Sequence, residues 1–354
     1  MSLESYLRAA PKAELHVHLE GAIQPATLLE LARRNGVELP VSSEAEVRDW
    51  FTFRDFDHFV EIYVAITRCL RTVEDYQQIV RDFGAEMARQ NIRYAEVTFS
   101  PSTHHALGVP QDVWFSGLSQ GREEIKRDFG VEINWVFDVV RNSILHEGIT
   151  SRADYTTGVA IEGMGDGVVA LGLGGAEAGA PPQPYAPWFE RARAAGLHSN
   201  PHAGELAGPE SIWGALNALG AERIGHGVRA SDDPALVRYL AERRIPIEIS
   251  PTSNLRLGVY PDYAHHPLRA LHDAGVIVTI NSDDPPLFNT TLNDEVLLLP
   301  HAFGFDLAAI DEILLNPVRH SFLPPERKTA LEAEFRAELA ALKVEHLGTS
   351  EADE

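Results

Sequence analysis

The sequence predicts a (β/α)8 barrel, the α/β fold in which eight parallel strands alternate with helices. Eight short apolar runs, each ending in polar or glycine residues, recur along the 354-residue chain. Segments with helical periodicity separate most of these runs, and no strand is left over. Eight alternating units favour a closed barrel over an open, doubly wound sheet.

The predicted strands follow one another in the order in which a barrel would use them. They span residues 14–19, 92–99, 131–139, 168–173, 197–202, 223–228, 245–250 and 276–281. Helices are predicted over residues 25–35, 209–219 and 234–244, because a proline opens each segment and glycine follows the first two. Residues 1–347 are expected to form one domain, followed by a disordered acidic tail over 348–354.

Two segments depart from the simple repeat. About 70 residues separate the first two strands, far more than one crossover helix needs, which indicates an inserted helical lid. The alternative is an amphipathic helix whose aromatic side chains fill the core. The aromatic residues concerned are Trp50, Phe51, Phe53, Phe56 and Phe59, of which Phe51 and Phe53 are the favoured pocket residues. After the eighth strand, two further helices are predicted, the last over residues 325–347.

Charge and composition exclude several classes of partner. The chain has 30 basic and 52 acidic residues, a formal net charge of -22 that repels phosphate backbones and anionic lipids. Neither nucleic acid nor a membrane surface is therefore an expected partner. The single cysteine, Cys69, cannot form an internal disulfide, and no signal peptide or run of about 20 apolar residues is evident. We expect a cytoplasmic protein; its oligomeric state cannot be read from the sequence.

Histidines and acidic residues follow four of the predicted strands at their carboxyl ends. His16 and His18 stand two residues apart, so both side chains leave the same face of a strand. The others follow strands five, six and eight, and they are His202, Glu205, His226, Asp283 and Asp284. In a barrel, the carboxyl ends of the strands converge on the face that bears active sites, so one shared pocket is expected.

The chemistry of this set points to a metal-dependent hydrolase. Imidazole and carboxylate ligands suit Zn²⁺, whereas a single cysteine excludes a thiolate site. A bound zinc ion lowers the pKa of its water toward about 7 and supplies hydroxide at neutral pH. Taken singly, Gly225-His226-Gly227 is also compatible with a tight turn, and Asp283-Asp284-Pro285 with a helix N-cap. Four such motifs at four strand ends favour a catalytic zinc site.

Five motifs from Lys12 to about Leu323 resemble the adenosine deaminase family of zinc amidohydrolases. They are Lys-Ala-Glu-Leu-His-Val-His-Leu-Glu-Gly over residues 12–21, His-Ala-Gly-Glu over 202–205, Arg-Ile-Gly-His-Gly over 223–227, Pro-Thr-Ser-Asn over 251–254 and Ser-Asp-Asp-Pro over 282–285. The motifs occur in the family's order, and the family's fold is the barrel already predicted.

The resemblance implies a role for each matching residue. One zinc ion would be held by His16, His18, His202 and Asp283. Glu205 would protonate purine N1 during attack of hydroxide on C6, a step that needs a general acid because the ring loses aromaticity. His226 would orient or deprotonate the attacking water. The substrate would be contacted by His18, Glu20, Gly175 and Asp284, with the backbone amide of Gly175 on N3. Asp284 would also be catalytic, with hydrogen bonds to purine N7 and to the attacking water.

The sequence departs from the family pattern at the expected specificity positions. Glu20 stands where adenosine deaminases usually carry an aspartate that contacts the ribose 5′-hydroxyl. The fourth-strand pattern Asp-Leu-Ala-Gly-Asp-Glu is here Gly-Leu-Gly-Gly-Ala-Glu over residues 172–177, which predicts a smaller and less acidic wall. Residues 168–173 also lack the lysine or glutamate that bridges two metals in binuclear relatives, so a single zinc is expected.

Three substrates remain within this chemistry. Adenosine or deoxyadenosine is ranked first, and 6-aminodeoxyfutalosine of bacterial menaquinone synthesis second, with Arg54 or Arg256 as a partner for its carboxyphenyl group. Free adenine is ranked third, because residues 286–291 read Pro-Leu-Phe-Asn-Thr-Thr where adenine-specific relatives have Ala-Tyr-Phe-Gly-Gly. A catalytically inactive binding protein is disfavoured, since every expected ligand is present.

Overall fold

A computed structural model describes residues 2–141 and 148–348. Its eight parallel strands pair in sequence order around a nearly closed barrel, which confirms the predicted (β/α)8 fold. The strands are β1 Lys12–His18, β2 Ile92–Phe99, β3 Glu132–Val140, β4 Val168–Gly174, β5 His198–Ala203, β6 Ile224–His226, β7 Ile247–Ile249 and β8 Val278–Ile280. Most of their residues are buried, as expected for parallel strands covered by helices.

Strands β6, β7 and β8 are shorter than the sequence predicted, with three residues each. His226 at the end of β6 (φ 60°) and Asp283, three residues after β8 (φ 63°), take the left-handed conformation. That conformation costs a non-glycine residue free energy and is typical of functional sites.

Backbone and side-chain hydrogen bonds join the first and last strands. His18 N donates to Asp283 O at 2.9 Å, and Asp283 N donates to His16 O at 3.2 Å. Leu15 N donates to the side-chain oxygen of Asn281 at 2.9 Å, across a sequence separation of 266 residues. This seam brings the histidines of β1 beside the aspartates that follow β8.

The helices surround the barrel and fill the connections. They are α1 Leu3–Ala9, α2 Pro25–Asn35, α3 Glu44–Trp50, α4 Phe56–Thr67, α5 Val73–Arg89, α6 Pro101–Ala106, α7 Gln111–Phe129, α8 Ile149–Glu162, α9 Ala186–Ala195, α10 Pro209–Gly214, α11 Pro234–Arg243, α12 Pro251–Arg256, α13 Leu268–Asp273, α14 Pro285–Phe288, α15 Leu292–His301, α16 Leu307–His320 and α17 Pro325–Leu347. Helix α2 ends at Gly36 in the left-handed conformation, as its sequence predicted.

Some helix predictions need correction. The helix predicted over 209–219 is interrupted, because α10 passes into a wider π-helical turn over Ala215–Leu219. Four helices follow β8 among the described residues, where two were predicted. The tail predicted to be disordered lies outside the described residues from 349 onward, and Gly348 closes α17. No helix in the described ranges is long and apolar enough to span a membrane.

The insertion between β1 and β2 contains the predicted helical segment, but its pocket residues were predicted wrongly. Phe51 is buried in the core, and Phe53 packs on Phe59 and Phe288 at ring-centroid distances of 5.3 and 5.8 Å. Phe56 and Phe59 line the cavity at the barrel mouth instead. Asp55 caps α4 by accepting from His58 N at 2.8 Å, so the helix begins at Phe56.

Candidate active site

Three strand ends bring the predicted metal ligands together. His18 Nε2 lies 3.2 Å from His202 Nε2, so β1 and β5 contribute facing imidazoles. Asp283 Oδ1 lies 3.5 Å from His16 Nε2 and 3.4 Å from His18 Nε2. Three imidazole rings and one carboxylate oxygen therefore lie close together at the carboxyl end of the barrel.

Three separations among these atoms match those in a tetrahedral metal site. Zinc–ligand bonds of about 2.0–2.1 Å place neighbouring ligand atoms about 3.3–3.4 Å apart, close to the separations observed. His16 Nε2 is buried and finds no hydrogen-bond partner among the described residues, which is expected for an atom that binds a metal. Potential ligand atoms of His16, His202, His226 and Asp283 all lie within 4.8 Å of one another, whereas the predicted ligand His18 forms a second group with Asp283 and Asp284.

Residues that the sequence analysis did not single out hold the ligands in place. Glu248 Oε2 lies 3.0 Å from His16 Nδ1, and Ser253 Oγ donates to Asp283 Oδ2 at 2.7 Å. Arg223 Nε donates to Glu248 Oε1 at 2.6 Å. Such contacts fix the ring orientation and basicity of metal ligands. The sequence feature that could have indicated this contact is Glu248, an acidic residue within the otherwise apolar segment that forms β7.

The predicted general acid, Glu205, lies in the loop after β5. Its Oε1 is 3.6 Å from His226 Nε2. Burial raises the pKa of the Glu205 carboxyl well above its usual range, and the nearby carboxylates of Asp283 and Glu177 raise it further. Burial lowers the pKa of His226 to about 3. Burial thus favours the uncharged form of both side chains.

Glu177, which follows β4, organises the Glu205 loop. Its Oε1 accepts from Gly204 N at 2.6 Å, and its Oε2 accepts from the backbone N–H groups of residues 205, 206 and 207 at 3.0, 2.8 and 2.8 Å. Burial would raise the pKa of Glu177, but hydrogen bonds with Ser211 and the loop amides hold it below its usual range. The charged carboxylate therefore pins the backbone that carries the acid.

Asp284 lies beside Gly21 of the first motif. A Cβ atom at position 21 would come within 1.6 Å of Asp284 Oδ1, so only glycine fits there. Asp284 Oδ1 is buried without a hydrogen-bond partner among the described residues. Burial raises the pKa of Asp284 well above its usual range, and the adjacent charge of Asp283 adds to the shift.

Glu20 is engaged within the protein. Its Oε1 accepts from Ser100 N at 3.1 Å and contacts His104 Nε2 at 3.0 Å, while Tyr63 OH donates to Oε2 at 3.2 Å. Burial would raise the pKa of Glu20, but its hydrogen bond with His104 holds it below the usual value. Tyr63 and Ser100 line the cavity, and Glu20 itself does not. The position of Glu20 therefore does not support the predicted contact with the substrate, which stays a prediction.

A cavity of about 830 Å³, including the part open to solvent, extends from the metal ligands to the barrel mouth. Its inner wall includes His18, Glu205, His226 and Gly175, which agrees with their predicted grouping. The outer wall is apolar, and the side chains that form it are Phe56, Phe59, Val60, Val64, Leu257 and Phe288. Ligand sites typically show this combination of apolar walls and few polar groups.

The wall beside the fourth strand contains an acidic side chain. Asp138 of the neighbouring β3 lines the cavity next to Gly172 and Gly174. A Cβ atom on Gly174 would lie 2.3 Å from Asp138 Oδ2. The glycines of β4 therefore leave the space that the Asp138 carboxylate occupies.

The two arginines considered for a substrate carboxylate differ in position. Arg256 is exposed at the end of α12, next to the cavity residue Leu257, and its Nε donates to Phe288 O at 3.3 Å. The described residues offer it no salt bridge. Arg54 is exposed in the turn between α3 and α4, where its backbone N–H donates to His58 Nδ1 at 3.1 Å.

Sequence comparison decides the family. The family profile of adenosine deaminase matches residues 11–337. The chain belongs to the adenosine deaminase family. This confirms the resemblance and the assignment of the chain as an aminohydrolase acting on an adenine-type substrate.

Members of the adenosine deaminase family with several specificities resemble the chain. It is 40% identical to an aminodeoxyfutalosine deaminase of Streptomyces avermitilis, over 96% of this chain and 94% of that protein. It is 37% identical to an adenine deaminase of Cupriavidus necator, over 96% and 93% of the two chains. A crystal structure of an amidohydrolase from Burkholderia ambifaria with bound Zn superposes with a TM-score of 0.86 at 26% identity, covering 97% of this chain and 94% of that one.

Proposed function

We propose that the chain is a zinc-dependent hydrolytic deaminase of an adenine nucleoside with an aromatic carboxylate substituent, namely 6-aminodeoxyfutalosine. The observation that carries the proposal is the 40% identity to an aminodeoxyfutalosine deaminase over nearly the whole of both chains. The apolar outer wall supports it, because an aryl substituent gains free energy from burial there. Arg256 at the same mouth offers a cation for the carboxylate.

The residues suggest how the reaction proceeds. His16, His18, His202 and Asp283 would hold one zinc ion, which when bound would supply an activated water at neutral pH. The protonated Glu205 donates its proton to purine N1, and the neutral His226 accepts a proton from the attacking water. A C6–O bond forms and the C6–N bond of the amino group breaks. The amino group takes the proton held by His226 and leaves as ammonia, while Glu205 recovers a proton from the C6 hydroxyl, so the product is the 6-oxopurine.

Asp284 orients the ring in this scheme. Its raised pKa keeps the carboxyl protonated, so it can donate a hydrogen bond to purine N7, an acceptor. The backbone N–H of Gly175 contacts N3 on the opposite edge. Two polar contacts on opposite edges hold C6 over the metal ligands, which is the positioning that accelerates attack.

Free adenine is the second candidate. The 37% identity to an adenine deaminase supports it. The cavity favours the larger substrate, because its apolar part extends beyond the residues that would hold a purine. Adenosine, ranked first from the sequence, now ranks below both, because the two relatives bear the names of other substrates.

The test compares substrates directly. The purified chain is loaded with one equivalent of zinc, and loss of the adenine absorbance is followed with 6-aminodeoxyfutalosine, adenosine, deoxyadenosine and adenine. We expect kcat/KM for 6-aminodeoxyfutalosine to exceed the others by at least about 100-fold, which corresponds to about 2.7 kcal/mol. A preference for adenine or adenosine of similar size would overturn the proposal.

A matched pair of variants tests the carboxylate contact. Arg256→Ala is expected to raise KM for 6-aminodeoxyfutalosine by about 10-fold and to leave KM for adenosine unchanged, since only the former carries a carboxylate. Arg243→Ala removes an arginine at the end of α11 and serves as the control. Equal effects of Arg256→Ala on both substrates would exclude Arg256 as the carboxylate partner.

A further inference from the structure

Asp138 is an acidic side chain in the cavity that the mechanism above does not use. It lies in β3 and is only 2% exposed, yet it lines the cavity together with Gly175. Ser100 Oγ donates to its Oδ1 at 2.6 Å. The other oxygen, Oδ2, receives no hydrogen bond from another described residue. Because Asp138 lines the cavity, an oxygen without a protein donor is available to accept a hydrogen bond from a bound ligand.

The neighbouring strand makes room for this carboxylate. Asp138 pairs with Gly172 across the β3–β4 ladder, and a Cβ atom on Gly174 would lie 2.3 Å from Oδ2. Two glycines in β4 are therefore required for the position of Asp138. Gly174 directly precedes Gly175, whose amide is assigned to purine N3. Asp138 accordingly lies on the N3 side of the substrate, where N9 and its sugar are attached.

Glu20 and Asp138 both accept hydrogen bonds from Ser100 at this end of the cavity. Ser100 bridges them, because its N–H donates to Glu20 and its hydroxyl donates to Asp138. Both oxygens of Glu20 already have partners in the protein, whereas Asp138 retains an acceptor. Burial raises the pKa of Asp138 to about 7 and the nearby charge of Glu20 opposes its ionisation, while Ser100 favours the charged form. A hydrogen-bond donor on the substrate would further favour the charged form of Asp138.

We propose that Asp138 determines specificity for a ribonucleoside by accepting a hydrogen bond from a ribose hydroxyl at Oδ2. The inference rests on the proposed nucleoside deaminase function and names the residue that recognises the sugar. It assigns to β3 a contact that the resemblance placed on Glu20. The substrate class is an adenine nucleoside with a free 2′- or 3′-hydroxyl group.

The experiment removes the ribose hydroxyl of the substrate and the carboxylate of Asp138, first separately and then together. Adenosine, 2′-deoxyadenosine and 3′-deoxyadenosine are compared by kcat/KM, or by Ki as competitive inhibitors where turnover is slow. In the wild type, loss of the contacted hydroxyl is expected to weaken the reaction about 10- to 100-fold, as for a hydrogen bond to a charged group. In Asp138→Ala the same loss is expected to cost less than about threefold, because the partner is already gone.

Two further variants make the result decisive. Gly174→Ala displaces the Asp138 carboxylate without removing it and is expected to abolish the same discrimination, so it serves if Asp138→Ala is unstable. Asp82→Ala is the matched control, because Asp82 also accepts one hydroxyl hydrogen bond, from Thr27 at 2.7 Å, but lies outside the cavity. Asp82→Ala should keep the wild-type ratios. Zinc content and melting temperature are measured for every variant.

The outcomes separate this inference from the proposed function. Equal hydroxyl dependence in the wild type and Asp138→Ala would overturn the role of Asp138, as would a wild type that ignores both hydroxyls. Loss of adenine turnover in Asp138→Ala equal to the loss of adenosine turnover would show recognition of the purine and would also overturn it. The proposed function is judged on another measurement, the preference of the wild type for 6-aminodeoxyfutalosine over adenine.

Discussion

Glu177→Gln tests whether the backbone of the Glu205 loop must be pinned for catalysis. The carboxylate accepts four backbone N–H groups, one at Oε1 and three at Oε2. Glutamine offers only one acceptor atom. The glutamine side chain loses fewer hydrogen bonds when its oxygen takes the place of Oε2 and keeps three of them. Its NH₂ group then faces the N–H of Gly204, and both groups are donors.

The cost follows from this count. One hydrogen bond to a charged group is lost and one buried N–H is left unpaired, which lowers the free energy of unfolding by about 2–3 kcal/mol. For a chain of this size we expect the melting temperature to fall by about 3–4 °C. Because the loop carries Glu205, a displacement of about 1 Å reduces kcat by about 100-fold. The metal ligands are untouched, so zinc content should stay at one ion per chain.

The assay measures kcat, KM, zinc content and melting temperature in parallel. Glu210→Gln is the control, because exposed Glu210 lies in the first turn of α10, directly after the Glu205 loop, and accepts a single backbone N–H, from Gly208 at 3.2 Å. The control should change none of the four quantities. A Glu177→Gln variant with lowered melting temperature and wild-type kcat would refute the positioning role and leave only a structural one.

Three other predictions test the site and the core. Glu205→Gln should retain zinc and lose at least about 100-fold in kcat, as expected for a general acid; near-normal kcat with full metal content would contradict that role. Glu248→Gln should weaken zinc affinity about 10- to 100-fold through its contact with His16, measured by competition with a chelator; unchanged affinity would contradict it. Burial raises the pKa of Glu295 to about 7, so its stabilising proton is fully present below pH 4.5 and is lost as the pH rises toward 7. Glu295→Gln should therefore gain stability relative to the wild type between pH 5 and pH 8 in thermal melts, and a constant difference would refute the shift.

The strand ends were predictable because strong local patterns mark them. Apolar runs followed by histidine or aspartate located His16, His18, His202 and Asp283, and barrel geometry then required them to meet. The contacts between strands were not predictable in this way. Glu248 meets His16 across 232 residues of sequence, which depends on the register of the strands.

Asp138 illustrates the same limit at the specificity end of the cavity. The Asp138 carboxylate fills the space left by the glycines of β4. Asp138 and these glycines lie far apart in sequence, and neither the aspartate nor the glycines are unusual within their own strands. The aromatic residues of the insertion were misassigned for a related reason. Which rings face the cavity depends on the turn capped by Asp55, and helical periodicity does not specify that turn.

The seam between β1 and β8 has a consequence for the order of folding. The candidate metal centre takes ligands from the first strand and from the residue pair after the last one, and the seam joins residues 266 positions apart. A chain emerging from the ribosome cannot complete the centre until the Asp283 segment has been synthesised. Contacts of such long range form late and slow the folding of a domain. Because metal binding adds its free energy only to the folded state, ion capture should coincide with closure of the barrel and not precede it.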